Sequence, residues 1–235
     1  MPTVKVNDID MYYEVEGAGE PLVLIAGLGT SISPYGRMIR LLSQENRVLA
    51  FDNRGVGRTD KPDIPYTIEM MAADTAGLLK ALDITSANVI GVSMGGRIAL
   101  ALTLQHPELV RSLVLVSTAA RVERKAGTTL QLKALKWIRA AGRVPGRAPQ
   151  PYYAFVRQLN ASGSYDCGDR LGEIRVPTLI MYGKKDKLVP PDLVEEMHAG
   201  IKGSKMITFD GGHGFFFWDS KRFANAATEF LGGNR

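Results

Sequence analysis

The sequence has little cysteine, little histidine and no long apolar run. Its 235 residues include one cysteine, Cys167, which excludes an intrachain disulfide, and nothing near it indicates a metal cluster. No apolar stretch approaches the roughly 20 residues that a membrane-spanning helix needs. The first residues are polar and acidic, where a secretory signal would place basic residues before an apolar run. These features predict a cytoplasmic protein without a membrane span.

The composition is that of a globular chain with an uneven charge. Hydrophobic residues make up 45% and charged residues 23%, which is enough for one domain with a buried core. The net charge is +5, and the segment 119–175 alone holds eleven Lys or Arg against four acidic residues. Such a segment could attract an anionic substrate or surface, although a solvated basic face explains it more simply. No nucleic-acid-binding motif accompanies the charge, so we expect no nucleic-acid partner.

Short β-rich runs alternate with helical patterns along most of the chain. This alternation predicts βαβ units and a mostly parallel sheet with helices on both faces. Residues 4–6 and 11–16 predict an initial hairpin. Further strands are predicted at 22–26, 48–51, 89–92, 113–116, 179–182 and 205–209. Helices are predicted at 35–43, 68–82, 95–105, 191–199 and 219–230.

The segment 119–175 interrupts this alternation, because it contains no strand-like run. It holds a basic amphipathic pattern (LQLKALKWIRAAG), a Gly/Pro-rich loop (GRVPGRAPQP) and a second apolar-periodic piece (YYAFVRQL). We therefore expect a core formed by residues 1–118 and 176–235. Residues 119–175 are expected to form a helical cap inserted in that core.

The strongest motif is GVSMGG at residues 91–96, which lies between a predicted strand and a predicted helix. A nucleophile on a sharp strand-to-helix turn needs small neighbours, because its backbone is strained and crowded. Glycines two positions before and two positions after Ser93 provide that space. The motif therefore predicts that Ser93 is a nucleophile at the edge of the sheet.

A serine hydroxyl needs a base to take its proton, and the chain has three histidines. His106 and His198 fall at the end and in the middle of predicted helices, which favours surface positions. His213 lies in a loop after the last predicted strand, at the same edge of a parallel sheet as Ser93. His213 is therefore the predicted base.

The base needs an acid that fixes its tautomer and stabilises its charged form. Asp186 follows the predicted strand 179–182 and lies at the required edge, with lysines on both sides that we expect to keep it ionised. Asp210 is closer to His213 in sequence and remains an alternative. We expect Asp210 to belong still to the end of the last strand, which favours Asp186.

The reaction also needs hydrogen-bond donors for a developing oxyanion. The Met94 N–H, at the start of the helix after Ser93, is one candidate. The second should come from the glycine-rich loop at 27–29, where the Leu28 N–H is the best candidate.

The same loop also imitates a dinucleotide-binding fingerprint. Its two glycines follow a strand, and Asp52 ends the next strand. However, Ile32 stands at the third glycine position, and Pro34 lies where the helix should already be running. This rival interpretation therefore fails.

With Ser93, Asp186 and His213 placed, the chain resembles the α/β-hydrolase superfamily over nearly its whole length. Within it, the sequence looks most like the group of 3-oxoadipate enol-lactonases, carboxylesterases and non-haem perhydrolases. The segments that carry the resemblance are FDNRGVGRTD, YTIEMMAADTAGLLKAL, VIGVSMGGRIAL, HPELVRSLVLVST and RLGEIRVPTLIMYGKKDKLVP. The resemblance implies the α/β-hydrolase fold, a triad of these three residues and a helical cap between two core strands. It also implies that RGVG at 54–57 is a structural turn.

The chain departs from the family pattern at three places. Ala26 precedes Gly27 where relatives often carry histidine, and Thr59 stands where serine is usual. The third departure is the insertion, which is shorter than a full cap of this group, so we expect an open pocket and activity on small esters. Serine at position 93 argues against relatives that use an aspartate nucleophile, the dehalogenases and epoxide hydrolases.

Four further residues are candidates for the substrate pocket: Gly27, Trp137, Phe215 and Trp218. The run FFFW at 215–218 could equally pack the last helix against the sheet, which is the simpler explanation for at least two of its rings. Trp137 could instead fill the seam between cap and core.

The sequence therefore predicts a serine hydrolase that cleaves carboxylic esters or lactones through an acyl-enzyme. No metal and no organic cofactor are implied, and the expected partner is a small-molecule substrate. Three alternatives use the same fold: a C–C bond hydrolase, a perhydrolase and a ligand receptor without turnover. The sequence gives no indication of the oligomeric state.

Overall fold

The computed structural model describes residues 2–122 and 150–233. Eight strands form one sheet in these ranges, as the sequence predicted. They are β1 (Thr3–Val6), β2 (Ile9–Glu16), β3 (Glu20–Ile25), β4 (Asn46–Phe51), β5 (Ala87–Val92), β6 (Val110–Val116), β7 (Thr178–Gly183) and β8 (Lys205–Phe209).

The sheet has the order β1-β2-β4-β3-β5-β6-β7-β8. The first hairpin pairs antiparallel and β2 joins β4 antiparallel, whereas all other neighbours are parallel. Ile25 at the end of β3 pairs with Phe51 of β4 on one side and Gly91 of β5 on the other. The carboxyl ends of the central strands therefore meet at one edge, where open α/β sheets bind ligands.

Seven α-helices are described. They are α1 (Gly36–Leu42), α2 (Ile68–Ala81), α3 (Met94–Gln105), α4 (Tyr152–Ser164), α5 (Pro191–Gly200), α6 (Phe215–Trp218) and α7 (Ser220–Gly232). A short 3-10 turn, Ser33–Tyr35, precedes α1, so the helix predicted at 35–43 starts one residue later than expected. None of the described helices combines the length and the apolar character that a bilayer crossing requires.

The helices cover both faces of the sheet, which confirms the predicted α/β-hydrolase architecture. One apolar cluster joins the sheet to α2, α3 and α5, with Met71, Ile98 and Val194 fully or almost fully buried in it. The other cluster joins the opposite face to α1, α6 and α7 and includes Leu42 and Phe223. Burying side chains of this size stabilises the fold by about 1.5–3 kcal/mol each.

Helix α4 lies between β6 and β7 in the chain, inside the segment predicted as an insertion. Its sequence is the apolar-periodic piece recognised above, and its buried residues include Phe155 and Gln158. The basic amphipathic pattern and Trp137 lie outside the described residues. The boundaries of the cap at 119 and 175 therefore stay a prediction.

The turn after β4 is held by a buried ionic and hydrogen-bonded network. The Arg54 side chain is 1% exposed and donates to Asp74 and Asp8. Thr59, which replaces the usual serine, donates its hydroxyl to the Asp52 carbonyl and accepts the Tyr12 amide. Threonine therefore supplies the same two hydrogen bonds as serine would, and the turn has the scaffold role that the resemblance implied.

Candidate active site

Ser93 occupies a strained turn between β5 and α3. Its φ of 55° and ψ of −116° place a residue with a side chain in the positive-φ region, which costs on the order of 1–3 kcal/mol. The glycines around it leave no room for a side chain. A Cβ on Gly91 would lie 2.5 Å from the Gly95 carbonyl oxygen, and one on Gly95 would collide with the Ile25 carbonyl. The sharp turn therefore requires the glycines that the motif supplies.

Three hydrogen bonds to the Ser93 backbone fix this turn. The Ser93 amide donates to the Val116 carbonyl at 2.8 Å. The Ser93 carbonyl accepts the Thr118 hydroxyl at 2.8 Å and the Gly96 amide at 2.9 Å. Ser93 is therefore held in its strained conformation from both of its peptide groups.

His213 lies beside Ser93, as the sequence predicted. Its Nε2 atom is 3.0 Å from Ser93 Oγ, and its Nδ1 atom is 2.8 Å from Asp186 Oδ2. The His213 side chain is 24% exposed and the Asp186 side chain 1% exposed. Ser117 also holds the loop, because its hydroxyl donates to the His213 carbonyl at 2.9 Å. Serine, histidine and aspartate thus form one continuous hydrogen-bonded chain.

Backbone amides, not the expected lysines, surround the second oxygen of Asp186. Its Oδ1 atom accepts the amides of Leu188 and Val189 at 2.8 and 3.1 Å. Lys184 instead pairs with Asp210 at 3.2 Å. Lys184 therefore makes its described ion pair with the exposed carboxylate of the next loop, and the role of the flanking lysines stays a prediction.

The remaining candidate bases and acids lie elsewhere. His106 is 3.5 Å from Glu108, and His198 bonds Ser204 at 2.7 Å, so each has a partner on the protein surface away from Ser93. The alternative acid Asp210 has an 80% exposed side chain and faces Lys184.

The glycine loop after β3, which contains Leu28, passes close to Ser93. A Cβ on Gly27 would lie 3.4 Å from Ser93 Cβ, which shows how closely this loop approaches the serine. The Gly27 amide donates to the Tyr35 hydroxyl at 3.2 Å, and the Gly29 amide donates to Gln158 Oε1 at 3.0 Å. The structure gives the intervening Leu28 amide no such acceptor among the described residues.

The Met94 amide is the second candidate donor, and it directly follows Ser93 in the chain. It is the first residue of α3, so its N–H has no carbonyl one turn earlier to bond. The helix dipole adds partial positive charge at this end. An oxyanion that forms at Ser93 would therefore meet an N-terminal helix amide.

Two side chains from the turn after β4 hold the loop at its ends. Asp52 Oδ1 accepts the Ile32 amide at 2.8 Å, and Asn53 Nδ2 donates to the Ala26 carbonyl at 3.0 Å. Burial raises the pKa of the Asp52 carboxyl, although the amides of Arg58 and Ile32 oppose that shift. The loop is thus held through backbone groups and needs no histidine at position 26.

Two aromatic candidates for the pocket differ in burial. Phe215 is 2% exposed and stacks on Phe209 with ring centroids 4.3 Å apart, so it belongs to the core. Trp218, three residues later, is 90% exposed. Helix α6 thus turns its first ring into the core and its last ring outward, which fits the simpler packing explanation for Phe215. A role of either ring in the pocket stays a prediction. Trp137 lies outside the described residues.

Four residues that contact the site had no sequence signal. Ser117 and Thr118 bond the backbones of His213 and Ser93, whereas Tyr35 and Gln158 bond amides of the glycine loop. Apart from Tyr35, which lies eight residues from its partner, each bonds a residue at least 25 positions away in the chain. Contacts of this kind leave no motif in the sequence.

Comparison with known families decides the assignment. A family model described as alpha/beta hydrolase fold matches residues 20–161 and 152–220. This chain belongs to that family. The sheet order, the serine turn and the loop positions of this α/β hydrolase agree with the resemblance inferred from the sequence.

Several relatives match over nearly the whole chain. A protein of Azorhizobium caulinodans with the provisional name carbamate hydrolase RutD is 29% identical over 245 residues, 92% of each chain. The crystal structure of the enol-lactonase from Burkholderia xenovorans LB400 superposes with a TM-score of 0.87 and 26% identity, covering 98% of this chain and 99% of that one. An esterase from Exiguobacterium antarcticum gives a TM-score of 0.85 and 26% identity, covering 97% and 98%. The α/β hydrolase is therefore similar to enzymes with small-molecule substrates.

Proposed function

We propose that this α/β hydrolase cleaves carboxylic esters or lactones through an acyl-enzyme on Ser93. The observation that carries the proposal is the hydrogen-bonded chain from Ser93 Oγ through both His213 nitrogens to Asp186, at 3.0 and 2.8 Å. A serine on a strained turn, a histidine within reach of its hydroxyl and a buried carboxylate behind the histidine are the parts that acyl transfer requires.

The first half of the reaction forms the acyl-enzyme. Ser93 Oγ attacks the carbonyl carbon while His213 Nε2 accepts the hydroxyl proton. Asp186 holds the histidine in the tautomer with a proton on Nδ1 and stabilises the imidazolium. The amides of Leu28 and Met94 donate to the oxyanion of the tetrahedral intermediate. His213 then protonates the alcohol oxygen as the C–O bond breaks, or the ring oxygen in a lactone.

The second half releases the acid. His213 takes a proton from water, and the resulting hydroxide attacks the acyl carbonyl. Collapse of the second tetrahedral intermediate returns the proton to Ser93 and frees the carboxylate. The step needs no group beyond the residues named and water.

The relatives support the substrate class. The names of two solved structures, an enol-lactonase and an esterase, describe cleavage of lactones and esters. The provisional carbamate hydrolase makes carbamate cleavage a second candidate, because a carbamate presents the same carbonyl to the same nucleophile.

The test is hydrolysis of p-nitrophenyl esters with acyl chains from C2 to C12, by the unmodified enzyme and Ser93→Ala. Loss of the nucleophile in such a triad costs on the order of a millionfold in turnover. We expect turnover of the short esters by the unmodified enzyme and none above background by the variant. A p-nitrophenyl carbamate in the same assay, and a simple γ-lactone whose hydrolysis is followed by acid release, compare the other substrates.

The outcomes separate the candidates. Preference for the carbamate over the matched ester would favour the second candidate. Turnover that survives in Ser93→Ala would contradict the proposed nucleophile. No turnover of any ester, lactone or carbamate would contradict the proposed function and leave C–C cleavage or ligand reception on the same fold.

A further inference from the structure

Gln158, in the inserted helix α4, is fully buried and uses both ends of its side-chain amide. Its Oε1 atom accepts the Gly29 amide at 3.0 Å, and its Nε2 atom donates to the Arg54 carbonyl at 2.7 Å. The residue is 0% exposed. A buried amide bonded at both ends has one orientation, because rotating it by 180° would place like groups against each other.

Gly29 is the residue directly after Leu28, and it also packs against α4. Its φ is +67°, and a Cβ there would lie 3.1 Å from Cδ2 of Phe155. Phe155 precedes Gln158 by three residues, so the two side chains share one face of the helix. This face therefore contacts the loop through both packing and a hydrogen bond.

The loop is also held from within, where the Thr30 hydroxyl donates to the Gly27 carbonyl at 2.7 Å. Its remaining supports come from the core and lie at its ends. Asn53 bonds Ala26, Tyr35 bonds Gly27, and Asp52 bonds Ile32. Among the described residues, Gln158 is the acceptor for the amide that follows Leu28. Gln158 in α4 thus fixes the Leu28–Gly29 peptide plane. That plane shares the Leu28 Cα atom with the neighbouring plane, which carries the Leu28 N–H.

We propose that Gln158 is a positioning residue for the oxyanion hole. It holds Gly29 so that the Leu28 amide points at the oxyanion, and it thereby links the inserted helix to catalysis. This inference rests on the proposed function, because it assigns Gln158 to the same site. Donors stabilise an oxyanion only when they are held in place before the charge develops, so loosening the loop acts on the transition state.

Gln158→Leu tests the proposal, because leucine is similar in size but cannot accept the Gly29 amide. We expect kcat for a short p-nitrophenyl ester to fall about 10- to 100-fold, in the range that small misplacements of catalytic groups produce. KM should change little. The affinity for a trifluoromethyl ketone should fall by a similar factor, because its adduct places an oxyanion in the same hole. Gln158→Glu, which keeps an acceptor for Gly29, should recover part of kcat.

Ser162→Ala is the matched control. Ser162 lies one turn after Gln158 on the same face of α4, and its hydroxyl accepts a hydrogen bond from buried Arg97 at 2.7 Å. Removing that hydroxyl should lower the melting temperature but leave kcat and the inhibitor affinity of the folded enzyme unchanged. An equal loss of kcat in Ser162→Ala would show that general docking of α4, and not the bond to Gly29, sets the activity, and would overturn the proposal.

Amide hydrogen exchange tests the positioning without any substrate. Gln158→Leu should speed exchange in a peptide that covers residues 27–32, whereas Ser162→Ala should not. Unchanged exchange in Gln158→Leu would overturn the inference. If Ser93→Ala is inactive and Gln158→Leu keeps full kcat and inhibitor affinity, this inference fails while the proposed function stands.

Discussion

On one side of Ser93, His213 and Asp186 lie in loops that follow β8 and β7, and the bonds that hold them come from the sheet and its turns. On the other side, the loop with Leu28 donates one hydrogen bond, from the Gly29 amide, to Gln158 in α4. Among the described residues, the groups proposed to move the proton are thus held by the core. The loop with Leu28 is held by the core and also by α4.

The largest effect should follow from changing the acid of the core-held side. Asp186→Asn keeps the shape but favours the wrong histidine tautomer, so we expect kcat to fall about 10⁴-fold with little change in KM. Ester turnover measured from pH 6 to 9 checks this. Asp210→Asn is the control, because that exposed carboxylate faces Lys184, and it should keep the activity of the unmodified enzyme. A large loss in Asp210→Asn with a small one in Asp186→Asn would reverse the assignment.

The next effect concerns Phe215, whose buried ring holds the start of α6 two residues after His213. Phe215 is buried against Phe209, so Phe215→Ala should lower the free energy of unfolding by about 3–5 kcal/mol. Trp218→Ala, in the same short helix, should change it by less than about 0.5 kcal/mol because the ring is 90% exposed. Urea unfolding followed by circular dichroism measures both. Equal destabilisation by the two substitutions would mean that the core does not anchor this loop as described.

A smaller effect should follow from removing the bond to the histidine backbone. Ser117→Ala deletes the hydroxyl that donates to the His213 carbonyl, a bond worth about 1 kcal/mol. We expect kcat to fall by about fivefold or less, with KM unchanged. Steady-state kinetics on the same ester gives the value. A loss as large as that in Asp186→Asn would show that the core holds His213 less firmly than its other contacts indicate.

Much of the fold and the reacting residues could be predicted from the sequence, because local physics carries the signal. Buried parallel strands are short and apolar, which made the central strands recognisable, and the first two strands were predicted from β-rich runs. All eight strands were found, and β8 had the predicted limits. The glycines around Ser93 are required by contacts within a few residues and with the adjacent strand, which gives the motif its spacing. The position of His213 in a loop at the serine edge then separated it from the other two histidines, which fall on predicted helices.

The remaining features depend on contacts between distant segments. Gln158 and Gly29 are 129 residues apart, and no sequence pattern in either segment predicts the hydrogen bond between them. The rings of Phe215 and Trp218 looked equivalent in sequence, although the direction in which α6 leaves its loop buries one and exposes the other. Lys184 lies two residues from Asp186, yet its ammonium group reaches Asp210. Proximity along the chain is a poor guide to where long side chains point.

The most direct test of the central claim is covalent labelling with diethyl p-nitrophenyl phosphate, followed by intact mass and peptide mapping. We expect one diethylphosphoryl adduct on Ser93 in the unmodified enzyme, much slower labelling in Asp186→Asn and none in Ser93→Ala. Labelling of another residue at the same rate, or no adduct in the folded unmodified enzyme, would contradict the claim that His213 and Asp186 activate Ser93.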